Sequence, residues 1–132
     1  MTRWLKIQRE PIDEIALQGD RAVSNGIGAV IHFLGIVREK EGKEPISAIE
    51  YEAFDKMAVH QFNQIFDEVE RKWPIESIRL VHRIGVVPVN QPSLWVELAA
   101  PHRGEAFAAC QFLIDEMKLR VPIWKHPVKS RP

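Results

Sequence analysis

The sequence predicts an α+β sandwich, with two helices laid against an antiparallel or mixed sheet. Two long stretches repeat apolar residues every three or four positions, and each is closed by a proline. Between and before them lie short runs in which apolar and polar residues alternate. With 132 residues, 45% of them hydrophobic, the chain has enough apolar surface for one core. A single domain over 1–132 is expected, without internal repeats or low-complexity segments.

Taken in order, Leu5 and Ile7 alternate with Lys6 and Gln8 as a short strand, and Pro11 opens a brief helix through Leu17. Residues 19–26 read as a loop. The run from Gly28 to Arg38 is apolar on both faces, which predicts a central, covered strand. Residues 39–45 are charged and hold both Gly42 and Pro45, so they read as a mobile loop leading into a strand from Ile46 to Phe54. Asp55 is placed to cap a helix whose apolar positions are Ala58, Phe62, Ile65, Phe66, Val69 and Trp73, and Pro74 ends it. A strand from Ile78 to Val87, a turn over Pro88 to Pro92 and a second strand from Leu94 follow. The second long helix runs from about Gly104, with the stripe Ala106, Phe107, Cys110, Leu113, Ile114 and Met117, and Pro122 forbids its continuation.

Charge is uneven along the chain. Residues 1–100 carry 12 Lys/Arg against 15 Asp/Glu, whereas residues 101–132 carry 6 against 3. This favours a local anion site in the C-terminal third over a nucleic-acid track, which calls for a larger basic excess. No apolar run reaches membrane-spanning length and the start of the chain lacks a signal-peptide core, so a cytoplasmic location is expected. Cys110, the single cysteine, falls on the apolar stripe of a helix and reads as a small buried residue, not as a nucleophile.

Lys118 and Lys125 bracket a Pro-Ile-Trp step directly after the second helix, and His102-Arg103 stands where that helix begins. A cation at a helix N-terminus opposes the macrodipole, which points to a bound anion. Lys118 at the C-terminal end is favoured by the dipole itself, a structural reason sufficient on its own. The apolar step before Lys125 should pack and hold its backbone, as a site residue requires. Either amine would need burial or nearby cations to act as a proton acceptor, since lysine ordinarily titrates near about 10.4. His102, Arg103 and Arg38 are each also readable as surface residues. Histidine spacing matches no zinc site, and no Gly-rich phosphate loop, nucleophile elbow or paired-cysteine motif is present. No metal is expected.

These residues resemble the catalytic, large subunit of molybdopterin synthase over nearly the whole length. The matching motifs are Gly28 to Arg38, Glu50-Tyr51-Glu52, His82-Arg83-Ile84-Gly85, His102-Arg103, Ala106-Phe107, and Lys118 through Pro122-Ile123-Trp124-Lys125. The resemblance implies an α/β hammerhead fold with an additional antiparallel β subdomain, and a homodimer at the centre of a heterotetramer. It implies a partner, a small ubiquitin-like sulfur-carrier subunit whose Gly-Gly tail ends in a thiocarboxylate, and a substrate, cyclic pyranopterin monophosphate. No cofactor is implied. Lys118 and Lys125 match the family's essential lysines, and Val37, Arg38, His102, Arg103, Lys118, Lys125 and His126 are the substrate-binding set that follows, with His102-Arg103 serving the site of the other chain. Three departures stand out. His126-Pro127 replaces a basic residue and a glutamate, Asn90-Gln91 replaces a glycine-acid turn, and the chain stops at Pro132 with residues 126–132 as a short tail. A non-catalytic protein that binds a ubiquitin-like tail or a phosphorylated metabolite is the alternative function.

Overall fold

The computed structural model describes residues 1–130; residues 131 and 132, expected at the end of the tail, lie outside the described residues. In chain order the elements are β1 (Thr2–Gln8), α1 (Glu14–Gly19), β2 (Ala29–Ile36), β3 (Lys40–Glu41), β4 (Glu44–Ala53), α2 (Asp55–Lys72), β5 (Ser77–Arg83), β6 (Gly85–Pro88), β7 (Pro92–Ala100), α3 (Arg103–Arg120) and β8 (Ile123–Lys129). The first sheet has the order β1-β5-β7-β2, with β1 and β5 parallel and the other pairs antiparallel. In the second, antiparallel sheet β4 pairs with β3, β6 and β8. The α+β expectation therefore holds, and the second sheet forms an added subdomain.

Both long helices cover one face of the first sheet. On α2, Ala58, Phe62, Ile65, Phe66 and Val69 recur at helical spacing and meet Ile78, Leu80, Val96, Leu98 and, from α3, Leu113. Each fully buried Leu or Phe contributes roughly 1.5–3 kcal/mol, so this layer is the main source of stability. On the opposite face Ile12, Leu17 and Leu34 close over Val81 and Trp95. Beside them Glu97, 2% exposed, accepts bonds from Arg79 at 2.7 and 2.9 Å and lies 2.8 Å from His32 Nε2. Burial alone would raise the Glu97 pKa; the bonds from Arg79 and His32 outweigh it and hold the carboxyl below its ordinary value. Among the described residues no helix is long and apolar enough to cross a membrane.

Several expectations are corrected. The Gly28–Arg38 strand is an edge, not a centre: Ala29, Ile31 and Phe33 pack on the helical layer and Leu34 packs on the Trp95 side, so both faces are apolar while one backbone edge stays open. Asp55 is the first helical residue, and Phe54 occupies the cap without a side-chain bond. The Asp55 carboxylate is favoured instead by the positive end of the dipole. The brief first helix starts later than Pro11, after Asp13, whose side chain accepts from the Ala16 N–H. Phe107 leaves the α3 stripe and is 59% exposed, because the buried face runs through Ala106, Ala109, Cys110 and Leu113, a helical step away.

The strand expected from Ile78 to Val87 is two strands in two sheets. Gly85, the first residue of β6, takes φ 82, a left-handed backbone that swings the chain from the first sheet into the second. Asn90 stands at φ 71, a left-handed geometry that asparagine adopts more readily than most residues. Residues 39–45 hold the short β3–β4 hairpin, with Gly42 at its tip. Residues 126–129, assigned to a tail, are the second half of β8. Opposite β4, Ile49↔Pro127, Ala48↔Val128 and Ile46↔Lys129 continue the pairing begun at Ala53↔Ile123.

Candidate active site

A cavity of about 720 Å³ opens between the first sheet, the second sheet and the C-terminal end of α3. Three cations from separate stretches of the chain line it. Lys118 stands on the last turn of α3, just past Met117, whose burial fixes the helix beneath it. Lys125 lies in β8 directly opposite Tyr51 of β4. Its backbone is held as the Pro-Ile-Trp step suggested: Ile123 packs on the core, and Trp124 meets Phe54 edge to face at 4.7 Å. Arg38 follows Val37, whose N–H donates to the Gln91 carbonyl at 3.1 Å and whose carbonyl accepts from the Asn90 N–H at 2.9 Å.

The remaining expected site residues lie elsewhere. Val37 is 2% exposed in the core of the second sheet, so it anchors Arg38 and does not face the cavity. His126 is exposed and lies 3.1 Å from the Glu52 carboxylate, outside the cavity, because neighbouring residues of a strand point to opposite faces. His102 caps α3 without a side-chain bond and Arg103 is its first residue. Fifteen residues of helix at 1.5 Å each separate Arg103 from Lys118, about 22 Å along the axis. Within one chain, His102-Arg103 and the lysines do not share a pocket.

The cavity also holds polar residues that sequence reasoning did not assign to the site. Tyr51 donates to Ser93 Oγ at 3.2 Å, and Ser93 donates in turn to the Gly35 carbonyl at 3.5 Å. Burial raises the Tyr51 pKa against the lowering effect of Ser93, which keeps the phenol neutral. His82 packs against Tyr51 with ring centroids 5.2 Å apart, and its Nδ1 lies 2.8 Å from the Arg83 carbonyl. Burial, assisted by the charge of Lys125 and opposed only by the Arg83 bond, pushes its pKa down to about 4. Cys110 lies away from the cavity, with its thiol pushed up to about 11 by burial. The pairing of Tyr51 with Lys125 across 74 positions was the missing signal, and local patterns do not carry it.

Three cations converging on a cleft with a neutral, buried polar floor give this α+β protein a site suited to an anionic small molecule, with two amines beside it. The chain belongs to the MoaE family, whose model, described as MoaE protein, matches residues 7–120. It is 37% identical over 94% of its length to a molybdopterin synthase catalytic subunit from Drosophila sechellia, of which it spans 34%. It is 38% identical over 80% of its length to a molybdopterin synthase catalytic subunit from Pyrococcus abyssi, spanning 71% of that protein. Its fold is similar to that of a molybdopterin synthase from Staphylococcus aureus, with a TM-score of 0.86 and 33% identity over 96% of this chain and 92% of that one. The chain spans about a third of the length of the Drosophila relatives that it matches.

Proposed function

We propose that this chain is the catalytic subunit of a molybdopterin synthase, a sulfurtransferase of molybdenum cofactor biosynthesis. Sulfur arrives on the thiocarboxylated C-terminus of a small ubiquitin-like carrier; two such tails each pass one sulfur to cyclic pyranopterin monophosphate, forming the dithiolene of molybdopterin, and water supplies the oxygen that returns each tail to a carboxylate. The observation that carries this reading is the convergence of Arg38, Lys118 and Lys125 on one cavity that has no cysteine in its wall. An enzyme whose sulfur comes on a partner needs charge and proton transfer from its own residues, not a nucleophilic thiol.

In this reading Arg38 pairs with the substrate phosphate, where a guanidinium gives a charge-assisted bond. Lys118 meets the incoming thiocarboxylate and steadies the negative charge that develops as its acyl carbon loses sulfur. Lys125, on a rigid strand, polarises the pterin side chain and moves protons during transfer. The long separation of Arg103 from Lys118 supports a dimer in which His102-Arg103 of one protomer completes the phosphate site of its partner, with one carrier at each outer end. Incubation with cyclic pyranopterin monophosphate and thiocarboxylated carrier should yield molybdopterin. Binding of both without product would make the chain a non-catalytic binding protein.

A further inference from the structure

Among the polar groups at the cavity, His82 is the one whose tautomer follows from its contacts. The side chain is only 5% exposed, yet it lines the cavity. A backbone carbonyl can only accept, so the 2.8 Å contact with Arg83 places the proton on Nδ1. Burial disfavours the charged ring, so the imidazole is neutral, with its single proton on Nδ1 and a lone pair on Nε2. Among the described residues Nε2 has no hydrogen-bond partner, and it is not one of the side-chain atoms sealed from solvent. Water can serve this acceptor while the cavity is open, but a ligand that displaces the water without donating in its place leaves Nε2 unmatched, which is unfavourable. The other polar groups at the wall that carry charge are donors only, namely Arg38, Lys118 and Lys125.

We infer that His82 is a further substrate-binding residue of this site, its Nε2 accepting a hydrogen bond from an N–H or O–H of the pyranopterin; the assignment rests on the function proposed above. The cations grip the anionic end of the substrate, and His82 recognises a donor on its neutral, heterocyclic part. A ligand that offers phosphate but no donor at that place leaves Nε2 unpaired. His82 thus contributes discrimination among phosphorylated molecules, which the three cations alone do not provide.

The test uses the full chain labelled with ¹⁵N-histidine, long-range ¹H–¹⁵N spectra at neutral pH, and cyclic pyranopterin monophosphate as the probe. Loss of one set of signals in His82→Gln assigns the ring. The expected result is an Nδ1–H tautomer whose Nε2 resonance moves on addition of the probe while Nδ1 stays in place, with inorganic phosphate causing no such movement. His82→Phe should bind the probe roughly tenfold more weakly, as loss of a matched buried bond implies, and His82→Gln should retain more affinity because its amide oxygen still accepts. An Nε2–H tautomer, a charged ring, or an unmoved Nε2 in wild-type protein saturated with the probe would overturn the assignment alone. Wild-type protein that binds no pyranopterin would overturn the functional reading and this assignment together. The spectra of wild-type protein decide the matter even if His82→Phe fails to fold.

Discussion

Acidification should destabilise this protein through His82 before most carboxylates titrate. An unfolded histidine titrates near about 6.5, whereas burial holds the folded His82 down at about 4. Between those values the unfolded chain binds a proton that the folded chain refuses. Stability from this group is therefore complete above about pH 6.5 and drains away as the pH falls towards 4. At about 1.4 kcal/mol per pH unit the loss amounts to about 3 kcal/mol, a large part of the 5–15 kcal/mol typical of a domain. The assay is urea unfolding of wild type and His82→Gln at a series of pH values. Carboxylates such as Glu97, Glu70 and Glu76, all held below their ordinary values, titrate in both proteins and cancel in the difference. The wild-type curve should fall by about 2–3 kcal/mol more than the variant's between pH 7 and about 4. Parallel curves would show that the imidazole is solvated or already charged in the folded state, and the tautomer argument would fail with it.

Three further outcomes are expected. Lys118→Ala and Lys125→Ala should each remove most molybdopterin formation without unfolding the chain, since both side chains are exposed, and near wild-type product formation by either would remove that lysine from the mechanism. Mixing Arg103→Ala with Lys118→Ala chains should restore up to about a quarter of wild-type sites, because a two-fold dimer then carries one composite site without lesions; confirmed exchange with no recovery would mean that each site is built within one chain. Glu97→Ala should cost about 3 kcal/mol in denaturant unfolding by leaving the part-buried Arg79 unpaired, and a cost below about 1 kcal/mol would show that water solvates Arg79 there.

The parts of the site that are set locally were legible in the sequence. Pro122 fixes the end of α3 and hence the place of Lys118, and Ile123 and Trp124 announce a packed backbone before Lys125. Arg38 was found at the end of an apolar run, but the same run suggested a central strand, because apolarity reports covered faces and says nothing about a free backbone edge. Val37 and His126 came with the substrate-binding set that the resemblance implies; Val37 packs in the core of the second sheet, and His126 follows Lys125 in β8 and so takes the opposite face. Tyr51, Ser93 and His82 escaped notice because they come together only when β4, β5, β7 and β8 assemble. His82 in particular reads as one more alternating strand residue until its burial and its bond to Arg83 are seen.

The pairing of Tyr51 with Lys125 makes the site a matter of odd and even. β8 presents alternate residues to the cavity, so shortening or lengthening the Val121-Pro122 link between α3 and β8 by one residue would hand the position of Lys125 to Trp124 or His126 while leaving composition and fold nearly untouched. A change of two residues keeps the correct face but shifts the amine by about 7 Å along the strand, beyond the reach of the same partners. The irregularity in this ladder falls between Ile46 and Ala48, at the end remote from Lys125, where a slip alters no cavity residue. Insertions are thus tolerable at the Gly42 hairpin and intolerable between Lys118 and Lys125, whose separation of seven positions is itself part of the active-site specification.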